Sequence, residues 1–111
     1  MKYDYKFGEI TFKSGRKKKI IIVSPKIRLV ADFLMSDIQG SDPTYVVDAI
    51  DKVLGGKSNF EEIDGNVCGV EIRKDFTTIY NNLDDNAEEC RIETTELRKF
   101  VELWVKNRDK V

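Results

Sequence analysis

The stretch 89–106, ECRIETTELRKFVELWVK, constrains the fold most tightly, because it holds a strand, a helix start and a helix in one run. Cys90 and Ile92 alternate with Arg91 and Glu93, the period-2 pattern of a strand with one buried side. Leu97, Phe100, Val101 and Trp104 then recur at i, i+3, i+4 and i+7, a single apolar stripe along a helix. Thr94 or Thr95 is expected to cap that helix. Glu96 places an anion in its first turn, and Lys106, Arg108 and Lys110 place cations at its end. A strand that runs straight into an amphipathic helix needs more strands beside it for the helix to cover.

The preceding residues supply them. Phe60 and Ile63 mark a short strand that ends at the turn Asp64–Gly65–Asn66. Cys68, Val70 and Ile72 share one side of the next strand, against Gly69, Glu71 and Arg73. After Lys74–Asp75, Phe76, Thr78 and Tyr80 alternate with Thr77 and Ile79, and a polar loop runs from Asn81 to Ala87.

At the other end, Tyr3, Tyr5 and Phe7 share one parity and Ile10 and Phe12 the other. That change of phase predicts a β-bulge at Gly8–Glu9. Ser14–Gly15 then reverses the chain into a strand over Lys18 to Ser24. Its unbroken run Ile20–Ile21–Ile22–Val23 predicts cover on both faces. Ser24–Pro25 reads as a serine cap with proline at the first helical position, opening a helix that Gly40 stops. Asp42–Pro43 opens a second helix, stopped by Gly55–Gly56. The element order is ββααββββα. It predicts an α+β fold: an antiparallel sheet of about six strands packed on two to three helices, with residues 1–111 as one domain.

Histidine is absent, which removes Ser-His-Asp and Cys-His catalysis and every zinc site that needs an imidazole. Gly55–Gly56–Lys57–Ser58 lacks the first glycine of a phosphate-binding loop and follows a helix, so it reads as a helix stop. Cys68 and Cys90 stand 22 residues apart with no metal-ligand spacing, and are expected to be buried, reduced thiols. No apolar run approaches the ~18 residues of a membrane span. The expectation is a cytoplasmic protein without cofactor, metal or catalytic residues.

Net charge is −1, but it is unevenly spread. Residues 1–30 carry 9 basic and 2 acidic groups, whereas residues 57–96 carry 4 basic and 11 acidic ones. Fields of this kind govern partner choice and association rate more than fold. The acids Glu61, Glu62, Asp64, Asp84, Asp85, Glu88 and Glu89 fall on the turns and loop of the C-terminal strands. They read as solvated surface, as a face for a basic partner with Tyr80, Leu83 and Phe60 as nearby apolar anchors, or as a metal or acid/base site of a small carboxylate-based enzyme, which their place on turns instead of rigid strands disfavours. Asp32, Asp37, Asp48 and Asp51 on the two helices form a fallback face. The basic run Arg16–Lys17–Lys18–Lys19, near Lys13 and Phe12, reads as a solvated hairpin tip. Its alternative is a phosphate-binding hairpin in a nucleic-acid-associated regulatory protein. The chain's pI of about 5.5 argues against direct nucleic-acid binding.

The closing segment, in Ile92, Thr94, Glu96, Leu97 and Trp104, with the strands from Phe60 to Tyr80 upstream, resembles the C-terminal half of CdiI-type immunity proteins. These belong to bacterial contact-dependent growth inhibition and related polymorphic toxin systems. The resemblance implies a non-enzymatic cytoplasmic protein that binds one cognate CdiA-type toxin C-terminal domain. That toxin would be a nuclease acting on tRNA or DNA, inhibited by blocking its active site or substrate access. The acidic segment would then be the toxin-binding face.

Overall fold

All six expected strands and three helices are present in the expected order, but the strands divide into two sheets. The computed structural model describes residues 2–109. Tyr5–Thr11 (β1) and Lys17–Val23 (β2) pair as an antiparallel hairpin. A short 3-10 turn, Pro25–Ile27, leads into Arg28–Asp37 (α1), followed by Thr44–Leu54 (α2). Glu61–Asp64 (β3), Cys68–Ile72 (β4), Phe76–Asn81 (β5) and Cys90–Glu93 (β6) form a four-stranded antiparallel meander in sequence order, and Thr94–Arg108 (α3) closes the chain.

The two sheets stay apart because α1 lies between them. It contacts β2 on the hairpin and β4, β5 and β6 on the larger sheet. Leu29, Val30, Ala31, Phe33 and Leu34 are all buried, so most of its circumference is covered, as expected of a helix with so wide an apolar face. The inner side of the meander buries Ile63, Cys68, Val70, Ile72, Thr77, Ile79, Cys90 and Ile92. α3 buries its full stripe, with Leu97, Phe100, Val101 and Trp104 at 1% exposure or less, against β5, β6, α1 and α2. The hairpin joins this core through Ile21 and through the Tyr3 and Tyr5 rings, whose centroids lie 6.4 and 6.1 Å from that of Phe100.

Several local expectations are corrected. The β1–β2 ladder is continuous from Tyr5↔Val23 to Thr11↔Lys17, with no bulge at Gly8–Glu9. Ile10 has the opposite parity because it faces solvent, at 44% exposure. The second strand is likewise covered on one face only: Ile21 is buried while Ile22 is 52% exposed. Ser24 makes no side-chain cap; its carbonyl accepts from Ile27, and the chain passes through the 3-10 turn before α1 begins. Neither Thr94 nor Thr95 caps α3. Thr94 is buried and its hydroxyl turns inward to the Arg73 carbonyl and the Thr77 hydroxyl, while Thr95 is exposed. Lys110 lies outside the described residues, whereas Lys106 and Arg108 do occupy the last turn of α3.

Gly40 does not stop α1, which ends at Asp37 with Ile38 as its C-cap, whereas the start and stop of α2 behave as read. Asp42 Oδ1 accepts from the Thr44 N–H (2.9 Å) and the Thr44 hydroxyl (2.5 Å) at the start of α2. Gly56, at φ 80°, ends that helix, and Lys57 and Ser58 donate back to the Lys52 carbonyl. Both cysteines are free and buried, with burial pushing the thiols up to about 12 for Cys68 and about 11 for Cys90. No helix among the described residues is long and apolar enough to cross a membrane.

Candidate protein-binding surface

The meander's outer side carries the chemistry, since all its apolar side chains of the inner parity are sealed beneath the helices. Two two-residue loops fix which outer residues meet. Around Asn66–Val67, Asp64 stands opposite Gly69 and Glu62 opposite Glu71. Around Lys74–Asp75, Gly69 stands opposite Tyr80 and Glu71 opposite Thr78. The first loop is held by Asp37 at the end of α1, whose carboxylate accepts from the backbone N–H groups of Asn66 (2.8 Å), Val67 (3.1 Å) and Cys68 (3.0 Å).

Tyr80 is the centre of this surface. Its ring lies across Gly69 so closely that a Cβ there would sit 2.1 Å from Tyr80 Cζ. Only glycine permits that approach. The phenol's pKa is raised, first by burial and then by the charges of Glu62, Glu71 and Asp64. On its other flank, Tyr80 shares a cleft of about 290 Å³ with Asp84, Asp85 and Glu89. Asn82 links the two flanks: its side-chain N–H donates to Asp64 Oδ1 (3.2 Å) and the Gly65 carbonyl (2.8 Å), and its backbone N–H donates to Val67 (2.9 Å).

Five of the seven expected acids, namely Glu62, Asp64, Asp84, Asp85 and Glu89, therefore gather around Tyr80. Two do not. Glu61 has the inner parity of β3 and faces Lys52 of α2 at 3.8 Å. Glu88 lines an adjoining cleft with Pro25, Lys26 and Arg28, to which Glu89 also contributes. The fallback acids are mostly engaged inside the fold: Asp37 holds the turn, Asp51 receives Arg98 of α3 at 2.7 and 3.2 Å, and Asp32 faces Arg28 at 3.8 Å. Asp48 remains exposed and lines a cleft of about 500 Å³ with Glu61, Glu62 and Asp64.

Glu71 belongs to the surface although the sequence reading left it out. Counting outward from the two two-residue loops would have placed it opposite Glu62. The anchors are also more numerous than expected. Leu83 is 74% exposed beside Asp84, and Phe60 and Phe76 lie open on the outer face. Arg73 covers the Phe60 ring at 4.7 Å and Arg91 the Phe76 ring at 4.4 Å. Exposed aromatics, guanidinium groups and clustered carboxylates on a rigid sheet suit protein recognition. Among the described residues, no group of three or more Cys, Asp and Glu side chains converges as a metal site requires.

No family model matches the chain, and no solved structure matches it. Among curated proteins, an "Immunity protein" from Bacillus cereus is 36% identical over 106 residues, spanning 94% of this chain and 86% of that protein.

Proposed function

This chain belongs to the immunity-protein family, and we propose that it neutralises one cognate toxin domain by direct binding through the acidic surface centred on Tyr80. The observation that carries this reading is the register of Glu62 opposite Glu71 on the open sheet face, with Asp64 beside them. Like charges directly opposite each other destabilise a sheet. Arg73 meets Glu71 at 3.6 Å and offsets part of that repulsion, and a cationic partner would relieve the rest on binding. A nuclease of the CdiA-type C-terminal class, acting on tRNA or DNA, presents such a cationic face to its own substrate. The carboxylates would take the place of phosphates and so block the active site or the approach to it. The protein would act in the cytoplasm as an inhibitor, without turnover.

A standard interface buries about 1,600 Å². Charge alone would give fast capture, while Tyr80, Leu83, Phe60 and Phe76 would supply the desolvated anchors that slow release. The direct test is co-expression with the toxin domain encoded beside this chain. The wild type should restore growth. A folded Glu62→Lys/Asp64→Lys/Asp85→Lys/Glu89→Lys variant should not. Toxicity undiminished by the wild type would end the immunity reading. Full protection by the variant would move the interface elsewhere, with the Asp48 side of α2 as the next candidate.

A further inference from the structure

The meander ends on one side at β3, which pairs with β4 alone and so is an edge strand. The bonds around β4 show which backbone groups of β3 face outward. Asn82 N–H donates to the Val67 carbonyl (2.9 Å) and Arg73 N–H to the Phe76 carbonyl (3.0 Å), both across β4–β5. Gly65 N–H donates to the Cys68 carbonyl (2.9 Å), across β3–β4. Bonded pairs alternate with unbonded ones in an antiparallel ladder. Glu61 and Ile63 therefore bond to Ile72 and Val70, whereas the N–H and C=O groups of Glu62 and Asp64 point away from the sheet.

This open stretch is closed at both ends. At Phe60 the Ser58 hydroxyl donates to the carbonyl (2.8 Å) and accepts from the N–H (3.3 Å). At Asn66 the N–H donates to Asp37 (2.8 Å). Between these points, the backbone groups of Glu62 and Asp64 have no partner among the described residues. They border the cleft of about 500 Å³ that separates β3 from α2. Tyr45, Asp48, Ala49 and Lys52 form its far wall, and the Tyr45 hydroxyl is tied to the Asp37 carbonyl at 3.3 Å.

We propose, building on the toxin-binding reading, that this cleft takes an extended segment of the toxin as a fifth strand beside β3, with cationic side chains alternating with small or apolar ones. Two outward donors and two outward acceptors suit a strand of about four residues, about 13 Å long. Side chains of that strand on the outer face would stand beside Glu62 and Asp64, and those on the inner face would meet α2 at Tyr45 and Ala49. The sign of the cleft is negative. Lys52 on its wall faces Glu61 at 3.8 Å, and Asp64 accepts from the neutral Asn82 amide at 3.2 Å. Glu62 and Asp48 stand in no ion pair among the described residues. A second copy pairing β3 with β3 would set carboxylates against carboxylates, which disfavours that occupant.

Hydrogen exchange and affinity measurements with the purified toxin domain encoded beside this chain test the added strand. In the free protein the Glu62 and Asp64 amides should exchange fast, while the Ile63 amide is protected by β4. Saturating toxin should slow the Glu62 and Asp64 amides at least about 10-fold. Glu62→Pro and Glu62→Ala both remove the carboxylate, but only proline removes the outward donor, and it spares the β3–β4 ladder. Glu62→Pro should therefore bind toxin at least about 10-fold more weakly than Glu62→Ala. Retained protection at Ile63 checks that β3 still forms in the proline variant; if it is lost, exchange in the wild type decides. Toxin binding that leaves the Glu62 and Asp64 amides in fast exchange would overturn the added strand while sparing recognition by the acidic surface. Equal affinity of the two folded variants would do the same. A toxin that does not bind the wild type would end both readings. Protection of these amides without toxin, lost on dilution, would assign the edge to a second copy.

Discussion

The Asp37 carboxylate takes three consecutive backbone N–H groups at the β3–β4 turn, so one side chain fixes where Asp64 and Glu62 begin. Hydrogen bonds to a charged acceptor are worth more than neutral ones, and removing the acceptor strands their donors. Asp37→Ala should therefore lower unfolding free energy by about 1.5–3 kcal/mol, read from urea denaturation. An unchanged midpoint would mean that the turn holds itself. Glu93 works similarly at the start of α3, accepting from Lys2 Nζ and the Tyr3 hydroxyl. Those hydrogen bonds hold its carboxyl down to about 2, below the value of a free glutamate. A depressed carboxyl stabilises the fold above the unfolded-state pKa, and this contribution is lost as pH falls through the folded-state value. Glu93→Gln should thus be less stable than the parent at pH 7. The two stability curves should converge between about pH 4.5 and pH 2. A constant difference across that window would show that the carboxylate's charge is not the stabilising feature.

At the scale of elements, α3 is the piece whose sequence states its structure outright. Its stripe is regular, its neighbours are polar, and a helix of that kind can bury only one face. Trp104 sits 1% exposed at the end of the stripe, and Trp104→Ala should cost about 3–5 kcal/mol in thermal or chemical unfolding. A variant that melts like the parent would remove α3 from the core. The hairpin was harder to read. The phase change at Gly8 and the run of isoleucines fit a bulged, doubly covered strand equally well, because a sequence shows alternation but not which face meets solvent. Likewise, the wide apolar face of α1 was visible in Leu29, Val30, Phe33 and Leu34. That it would separate two sheets depends on which distant strands pair, and no local pattern records that. The contact from Asp37 to Asn66, Val67 and Cys68 crosses the chain in the same way.

Across the whole molecule, the charge asymmetry in the chain becomes two distinct surfaces, acidic around Tyr80 and basic between the hairpin and α3. The acidic segment was legible as a segment. Its division was not, because whether Glu61 or Glu62 faces outward turns on strand parity, which places Glu61 with buried Ile63. The role of Tyr80 was hidden for a related reason, since it depends on Gly69 lying directly across the ladder. Capture of the toxin by this acidic surface is read from stopped-flow association with the purified toxin domain across a salt series. For the wild type, the association rate constant should fall steeply with added salt. Neutralising Glu62, Asp64, Asp85 and Glu89 to their amides should lower the rate at low salt by about 10-fold or more and flatten the salt dependence. A toxin that binds the neutralised protein at the wild-type rate, with the wild-type salt slope, would place the toxin contact outside this acidic surface.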